Sequence, residues 1–271
     1  MNSLSLTTIL APLTALLLPS SALAFDLYWT EQLAQGDVIM GSTIDGHNAV
    51  TVFDGAGMAP DAVIVDLAIT DTHLYWSANA DSDSAGGIWR SNRDGSSAER
   101  LVPTAGNFTQ PHFLAIDEGN NALYFSDYSG GIFQARLTDG GDLTTVVASS
   151  EGGTPPNFTG LAFRDADRLL FFSSGNNSLY DLTVGGFSWW LELTGFSLPG
   201  GAATYGMAFD PDTQTAYYTD FEEGTLRSFK PDSLDAGFLA AGLQSPLGVK
   251  LSPSKTHLLV LERGGGVLAY Q

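Results

Sequence analysis

The chain has 271 residues, no cysteine, and 11 basic against 30 acidic residues, for a formal net charge of −19. That charge repels nucleic acid and anionic lipid, and the missing cysteines exclude disulfide staples and zinc spacings built on Cys. Closure of the fold must therefore come from strand pairing and packing.

Ile9 to Leu18 is apolar, and the small residues Ser20-Ser21-Ala22-Leu23-Ala24 precede Phe25. Residues 1–24 read as a cleaved secretory signal, although its n-region carries no Lys or Arg. The apolar stretch is too short to span a bilayer. The expectation is a secreted, extracellular protein with no stable membrane insertion and a single domain over residues 25–271. Three sequons follow in the mature chain, beginning at Asn107, Asn157 and Asn176, and are candidate glycosylation positions in surface loops.

An aromatic pair followed by a small polar residue and an acid recurs along the chain. The anchors are Tyr28-Trp29-Thr30-Glu31, Tyr75-Trp76-Ser77-Ala78, Tyr124-Phe125-Ser126-Asp127, Phe171-Phe172-Ser173-Ser174, Tyr217-Tyr218-Thr219-Asp220 and the degenerate Leu259-Val260-Leu261-Glu262. Their spacings of 47, 49, 47, 46 and 42 residues fit the period of four-stranded propeller blades.

Before five of the anchors lies a short apolar strand: Val65-Asp66-Leu67-Ala68-Ile69, His112-Phe113-Leu114-Ala115-Ile116, Thr159-Gly160-Leu161-Ala162-Phe163, Tyr205-Gly206-Met207-Ala208-Phe209 and Leu247-Gly248-Val249-Lys250-Leu251. These are predicted as inner strands over about 62–69, 112–117, 158–164, 205–210 and 246–251. A Gly at the second position suits the crowded strand lining a central channel. Asp-Gly pairs at 45–46, 94–95 and 139–140 mark tight turns toward an outer strand. The aromatic pairs read as core between blades rather than as a ligand platform.

The anchors resemble the YWTD repeat, the class B repeat of the low-density-lipoprotein receptor family, over most of residues 25–271. The resemblance implies an all-β, six-bladed propeller of mostly four-stranded blades, with the motif on the second strand of each. It departs from the receptors in having neither cysteine nor room for a flanking module. The pattern yields about 22 strands where six full blades need about 24. Closure thus has two readings: six blades, or five blades plus a C-terminal hairpin.

Propeller ligands usually meet loops at one channel mouth, which makes Asp66, His112, Thr159 and Tyr205 ligand-binding candidates. Trp189 and Trp190 are a second candidate surface, since strand alternation sends adjacent rings to opposite faces. The acidic fourth positions Glu31, Asp127, Asp220 and Glu262 read as a repeated structural job. The segment Asp81-Ser82-Asp83-Ser84-Ala85-Gly86 has a calcium-loop flavour but lacks the later bidentate acid. Six-bladed lactonases hold a metal at the mouth through carboxylate and Asn oxygens. The strands here that are similar to theirs carry Thr159 and Tyr205 instead, which argues against that chemistry. No metal or other cofactor is expected.

No phosphate loop, nucleophile elbow or basic-aromatic stripe is present in the sequence. The sequence favours a non-catalytic propeller that binds an extracellular protein or carbohydrate. The alternative is a channel-mouth hydrolase or lactonase using Asp66, His112 and Tyr205.

Overall fold

The computed structural model describes Phe25 to Tyr270 except residues 26, 33–35, 44–47, 60–61, 81–84, 105–107, 129, 149–157, 166–167, 174–177, 185–190, 198–203, 253–254 and 264–265, and without the side chains of 170–173, 178, 191–197 and 266. Asn107, Asn157, Asn176, Trp189, Trp190 and most of the 81–86 segment lie outside the described residues.

Six antiparallel meanders follow one another along the chain. Blade 1 holds β1 (Leu27–Glu31), β2 (Val38–Ser42) and β3 (Val50–Asp54), and blade 2 holds β4 (Val63–Ile69), β5 (His73–Asn79), β6 (Gly87–Asn92) and β7 (Glu99–Pro103). Blade 3 is β8 (Pro111–Asp117), β9 (Ala122–Asp127), β10 (Ile132–Arg136) and β11 (Thr144–Val147). Blade 4 is β12 (Phe158–Asp165), β13 (Arg168–Ser173), β14 (Ser178–Thr183) and β15 (Leu191–Ser197). Blade 5 is β16 (Thr204–Asp210), β17 (Thr215–Asp220), β18 (Thr225–Phe229) and β19 (Ala236–Ala241), and blade 6 is β20 (Pro246–Leu251), β21 (Leu258–Glu262) and β22 (Gly266–Tyr270). The architecture is a β-propeller. The predicted inner strands are β4, β8, β12, β16 and β20, each within a residue or so of its expected bounds.

The motif rings do what alternation requires of them: Tyr75, Trp76, Tyr124, Phe125 and Tyr218 are buried. Burial of each such side chain stabilises by on the order of 2–3 kcal/mol before ordering costs. Five buried clusters lie between successive blades. Trp76 joins Tyr28 and Ile39 between blades 1 and 2, while Phe125 joins Ile88 and Val102 between blades 2 and 3. Tyr124 packs with Phe158 and Leu169, Tyr218 with Leu179, and Leu226 with Val249 and Val260 at the next three interfaces. Among the described residues, no cluster joins blade 6 to blade 1.

The Asp-Gly turns couple blades as well. Gly95 has φ +80° and a Cβ there would sit 1.8 Å from the Val52 carbonyl oxygen of blade 1. Gly140, at φ +70°, would place a Cβ 2.1 Å from the Leu101 carbonyl oxygen of blade 2, so both turns lean on the outer strand of the preceding blade.

Every inner strand is bulged near its start. Register shifts fall between Ile64 and Leu67, Pro111 and Leu114, Thr159 and Leu161, Tyr205 and Met207, and Pro246 and Gly248. A bulge frees backbone groups from the ladder and re-aims side chains. The third motif residue satisfies the freed groups. Ser77 Oγ accepts from Asp66 N at 3.1 Å, Ser126 Oγ accepts from Phe113 N at 3.1 Å, and the Thr219 hydroxyl donates to the Tyr205 carbonyl.

Candidate functional site

Pro111 pairs with Asp127 and Thr204 with Asp220, so the start of each inner strand and the end of each motif strand share one end of the molecule. This end is the mouth. Asp66 and His112 sit within the bulges of β4 and β8, and Tyr205 borders that of β16.

Asp66 is a staple before it is anything else. Its Oδ1 accepts from Leu67 N at 2.8 Å and its Oδ2 accepts from Leu114 N of blade 3 at 2.9 Å. The Ser77 hydroxyl, also of blade 2, donates to the His112 carbonyl. Lys250 Nζ of blade 6 then lies 3.4 Å from Asp66 Oδ1. Both carboxylate oxygens are therefore engaged.

The His112 ring is packed between Phe113, at 5.8 Å between centroids, and Tyr128, at 5.3 Å. Burial pushes its pKa below the ordinary histidine value, while the nearby Asp127 and Asp66 carboxylates partly oppose that fall. His112 is accordingly neutral at neutral pH. In blade 5 the same relation recurs, with the Tyr205 ring 5.3 Å from Phe221. Tyr128 and Phe221 each follow the acidic fourth motif residue, so two blades place equivalent ring pairs at equivalent positions. Phe113 and Tyr205 connect the pairs, 6.4 Å apart, past blade 4. Among the described residues, blade 4 places Thr159 there, buried with its Oγ1 2.8 Å from Thr204 Oγ1, followed by Gly160 at φ +71°.

The motif acids have local partners, as a repeated structural role requires. Asp127 Oδ2 accepts from Thr109 N and Gln110 N at 2.9 and 2.7 Å, Asp220 Oδ1 from Glu222 N and Glu223 N at 3.1 and 3.0 Å, and Glu262 Oε1 from Gln244 N at 2.5 Å. Glu31 Oε1 accepts from Trp29 Nε1 at 2.8 Å. Among the described residues, no three His, Asp or Glu side chains come together to hold a metal ion, and no helix is long and apolar enough to cross a membrane.

The structure thus brings Asp66, His112 and Tyr205 to one end and turns Thr159 toward blade 5. Sequence reasoning passed over Lys250, Tyr128 and Phe221. A signal for Lys250 was present, since it stands where the other inner strands carry Ala68, Ala115, Ala162 and Ala208. A shallow groove of about 220 Å³ opens elsewhere, lined by Tyr217, Leu239, Leu251, Lys255, His257 and Tyr270. Its polar groups are already paired in part, Lys255 with Asp212 at 2.7 Å and the His257 ring with Thr256 Oγ1 at 2.9 Å. The mouth, where rings and charges of blades 2, 3, 5 and 6 come together, is the candidate site.

No family model matches the chain, and no curated protein matches it either. Solved structures share its fold. A chain of the nidogen/laminin complex is 16% identical, with 87% of this chain and 89% of that chain covered and a TM-score of 0.61. A gluconolactonase from Xanthomonas campestris is 18% identical, with 89% and 80% covered and a TM-score of 0.67. Virginiamycin B lyase from Staphylococcus aureus is 14% identical, with 90% and 79% covered and a TM-score of 0.60. Identities this low speak for the propeller fold alone, and the fold hosts both binding proteins and enzymes.

Proposed function

We propose that the chain is a secreted propeller of the YWTD type that binds an extracellular protein or carbohydrate at the mouth without chemical turnover. The observation carrying this reading is the engagement of Asp66, whose two oxygens already hold two backbone N–H groups and Lys250. Its donors come from blades 2, 3 and 6, so the carboxylate is committed to joining blades. At the same end the rings of Tyr128, His112, Phe113, Tyr205 and Phe221 lie against one another. Such rings supply contact area at low ordering cost, as binding surfaces require. The likeness to a chain of a nidogen/laminin complex supports a protein partner; the comparable likeness to a gluconolactonase keeps lactone hydrolysis the reaction to assay.

The mature protein, secreted by a eukaryotic host, is expected to begin at Phe25 by N-terminal sequencing. It is then screened against immobilised extracellular-matrix proteins and a glycan array, beside Tyr128→Leu/Phe221→Leu. Retention of a ligand by the parent and its loss in the double variant support mouth binding. Hydrolysis of an aldonolactone that disappears in Asp66→Asn, with no such ligand retained, overturns it.

A further inference from the structure

Resting on the mouth as a binding surface, we infer that the group it takes is a cationic side chain, the guanidinium or ammonium of a basic segment of a protein partner. Three observations converge on a cation.

The first is the rings themselves. Tyr128 stands half exposed, with 50% of its surface accessible, and Phe221 is half-buried on the equivalent turn of blade 5. Together with His112, Phe113 and Tyr205 they form a ladder with centroid spacings of 5.3 to 6.4 Å. The negative face of an aromatic ring attracts a cation within about 6 Å of its centroid. The chain uses this chemistry internally: Arg93 lies over Tyr28 at 5.5 Å and Arg227 over Phe238 at 5.9 Å.

The second is the field. The chain carries a net charge of −19, and the described residues of the two ring-bearing turns include no Lys or Arg. The turn of Phe221 continues into the exposed Glu222 and Glu223, and Glu223 already draws the guanidinium of Arg227. His112 is neutral and adds a π-face rather than a competing charge. Lys250, the cation nearest Asp66, is already paired with it. A basic partner is steered to such a surface, whereas an acidic one is repelled.

The third separates a cation from a neutral sugar. Sugar recognition needs free hydrogen-bonding groups beside the stacking rings, because hydroxyls stripped of water must be paired. Of the polar groups near the rings, Asp66 is held by two N–H groups and Lys250, Asp127 by Thr109 N and Gln110 N, and Thr159 by Thr204, while the buried Asp220 Oδ2 and the exposed Glu222 beside Phe221 are carboxylate acceptors and not donors. A cation meets the ring faces without needing them.

The test is calorimetry of the mature protein with four probes: a tetra-arginine peptide, a tetra-lysine peptide, a tetra-glutamate peptide and a neutral tetrasaccharide. It is repeated at low and physiological salt with Tyr128→Leu, with Phe221→Leu, and with Asp139→Asn/Asp142→Asn, which removes acids remote from the mouth. The expected result is binding of the basic peptides, weakened about two- to fivefold by each ring substitution and unchanged by the Asp139/Asp142 variant. Near-UV circular dichroism checks that each variant keeps its packing. Binding that falls with salt but ignores both ring substitutions is diffuse charge attraction and overturns the inference. Ring-dependent binding of the tetrasaccharide alone overturns the cation while leaving the mouth as a binding surface. Ring-independent behaviour with every probe and with the ligands of the wider screen overturns both.

Discussion

Lys250 Nζ of blade 6 lies 3.4 Å from Asp66 Oδ1 of blade 2, reaching past blade 1, which has no strand inside β1 among the described residues. The lysine takes the place of the alanine found in the other four inner strands, and 47% of its side chain is exposed against 13% for Asp66. The two partners are therefore unequal. Removing Lys250 loses a half-exposed ion pair, worth less than about 1 kcal/mol. Removing the Asp66 carboxylate also strands the Leu67 and Leu114 N–H groups, at about 1–3 kcal/mol for a buried donor left unpaired.

Urea unfolding of Lys250→Ala, Asp66→Ala and the double variant checks this. Asp66→Ala is expected to cost about 2–4 kcal/mol, with a coupling energy below about 1 kcal/mol. Equal losses in the two single variants would show that the pair closes the ring and that the backbone staple is secondary.

The bulged inner strands yield a second contrast. Gly206 has φ +72°, and a Cβ on it would lie 2.7 Å from Gly248 Cα in the next blade, whereas a Cβ on Gly248 meets nothing within 4 Å. Gly206→Ala is expected to lose about 1–2 kcal/mol to the left-handed backbone alone, and more to the overlap. Gly248→Ala should change stability by less than about 1 kcal/mol. Thermal melts of both variants decide the matter, and similar melting temperatures would contradict the packing described for β16 and β20.

These glycines show what the sequence made legible. A small second residue announced close approach of inner strands, and the ring pairs announced a core, because period and alternation survive in a single sequence. The bulges did not announce themselves. A two-for-one register depends on which backbone groups Ser77, Ser126 and Thr219 satisfy, and that is settled only when strands meet. Tyr128 and Phe221 were hidden for a related reason. Each looks like an ordinary turn residue until the chain fold brings it against His112 or Tyr205. Closure was legible only as a shortage of strands. The site candidates Trp189 and Trp190 and the sequons at Asn107, Asn157 and Asn176 lie outside the described residues.

At the end opposite the mouth, Asp181 of β14 is buried and bonded to two arginines. Its Oδ2 is 3.0 Å from Arg164 Nη1, and its Oδ1 accepts from Arg168 Nε at 2.7 Å. Arg164 Nη2 also reaches Asp232 of blade 5 at 2.5 Å. Deleting one partner of a buried pair leaves uncompensated charge, so Asp181→Ala is expected to cost about 3–5 kcal/mol. Asp232, 70% exposed in its side chain, should cost less than about 1 kcal/mol as Asp232→Ala. Denaturant midpoints that rank the two the other way round would place the load on the blade 4 to blade 5 link instead of the blade 4 interior.

His112 makes stability depend on pH in a definite direction. Burial lowers its folded pKa below the ordinary 6.5, and Asp127 and Asp66 oppose that shift without reversing it. Well above pH 6.5 both folded and unfolded states hold the imidazole neutral, and the group contributes no pH dependence. As pH falls through that value the unfolded state binds the proton first, so unfolding becomes easier. The loss accumulates until the folded pKa is passed and then levels. His73, whose pKa burial also lowers, adds a slope of the same sign. The informative quantity is therefore the difference between the parent and His112→Phe, which keeps a ring against Tyr128 and Phe113. Between pH 7 and pH 5 the parent is expected to lose more stability in urea than His112→Phe, whatever their offset at pH 7. Parallel curves would mean that the two carboxylates balance burial, and an NMR titration placing the His112 imidazole above 6.5 would mean that they outweigh it and that the mouth gains positive charge near neutral pH.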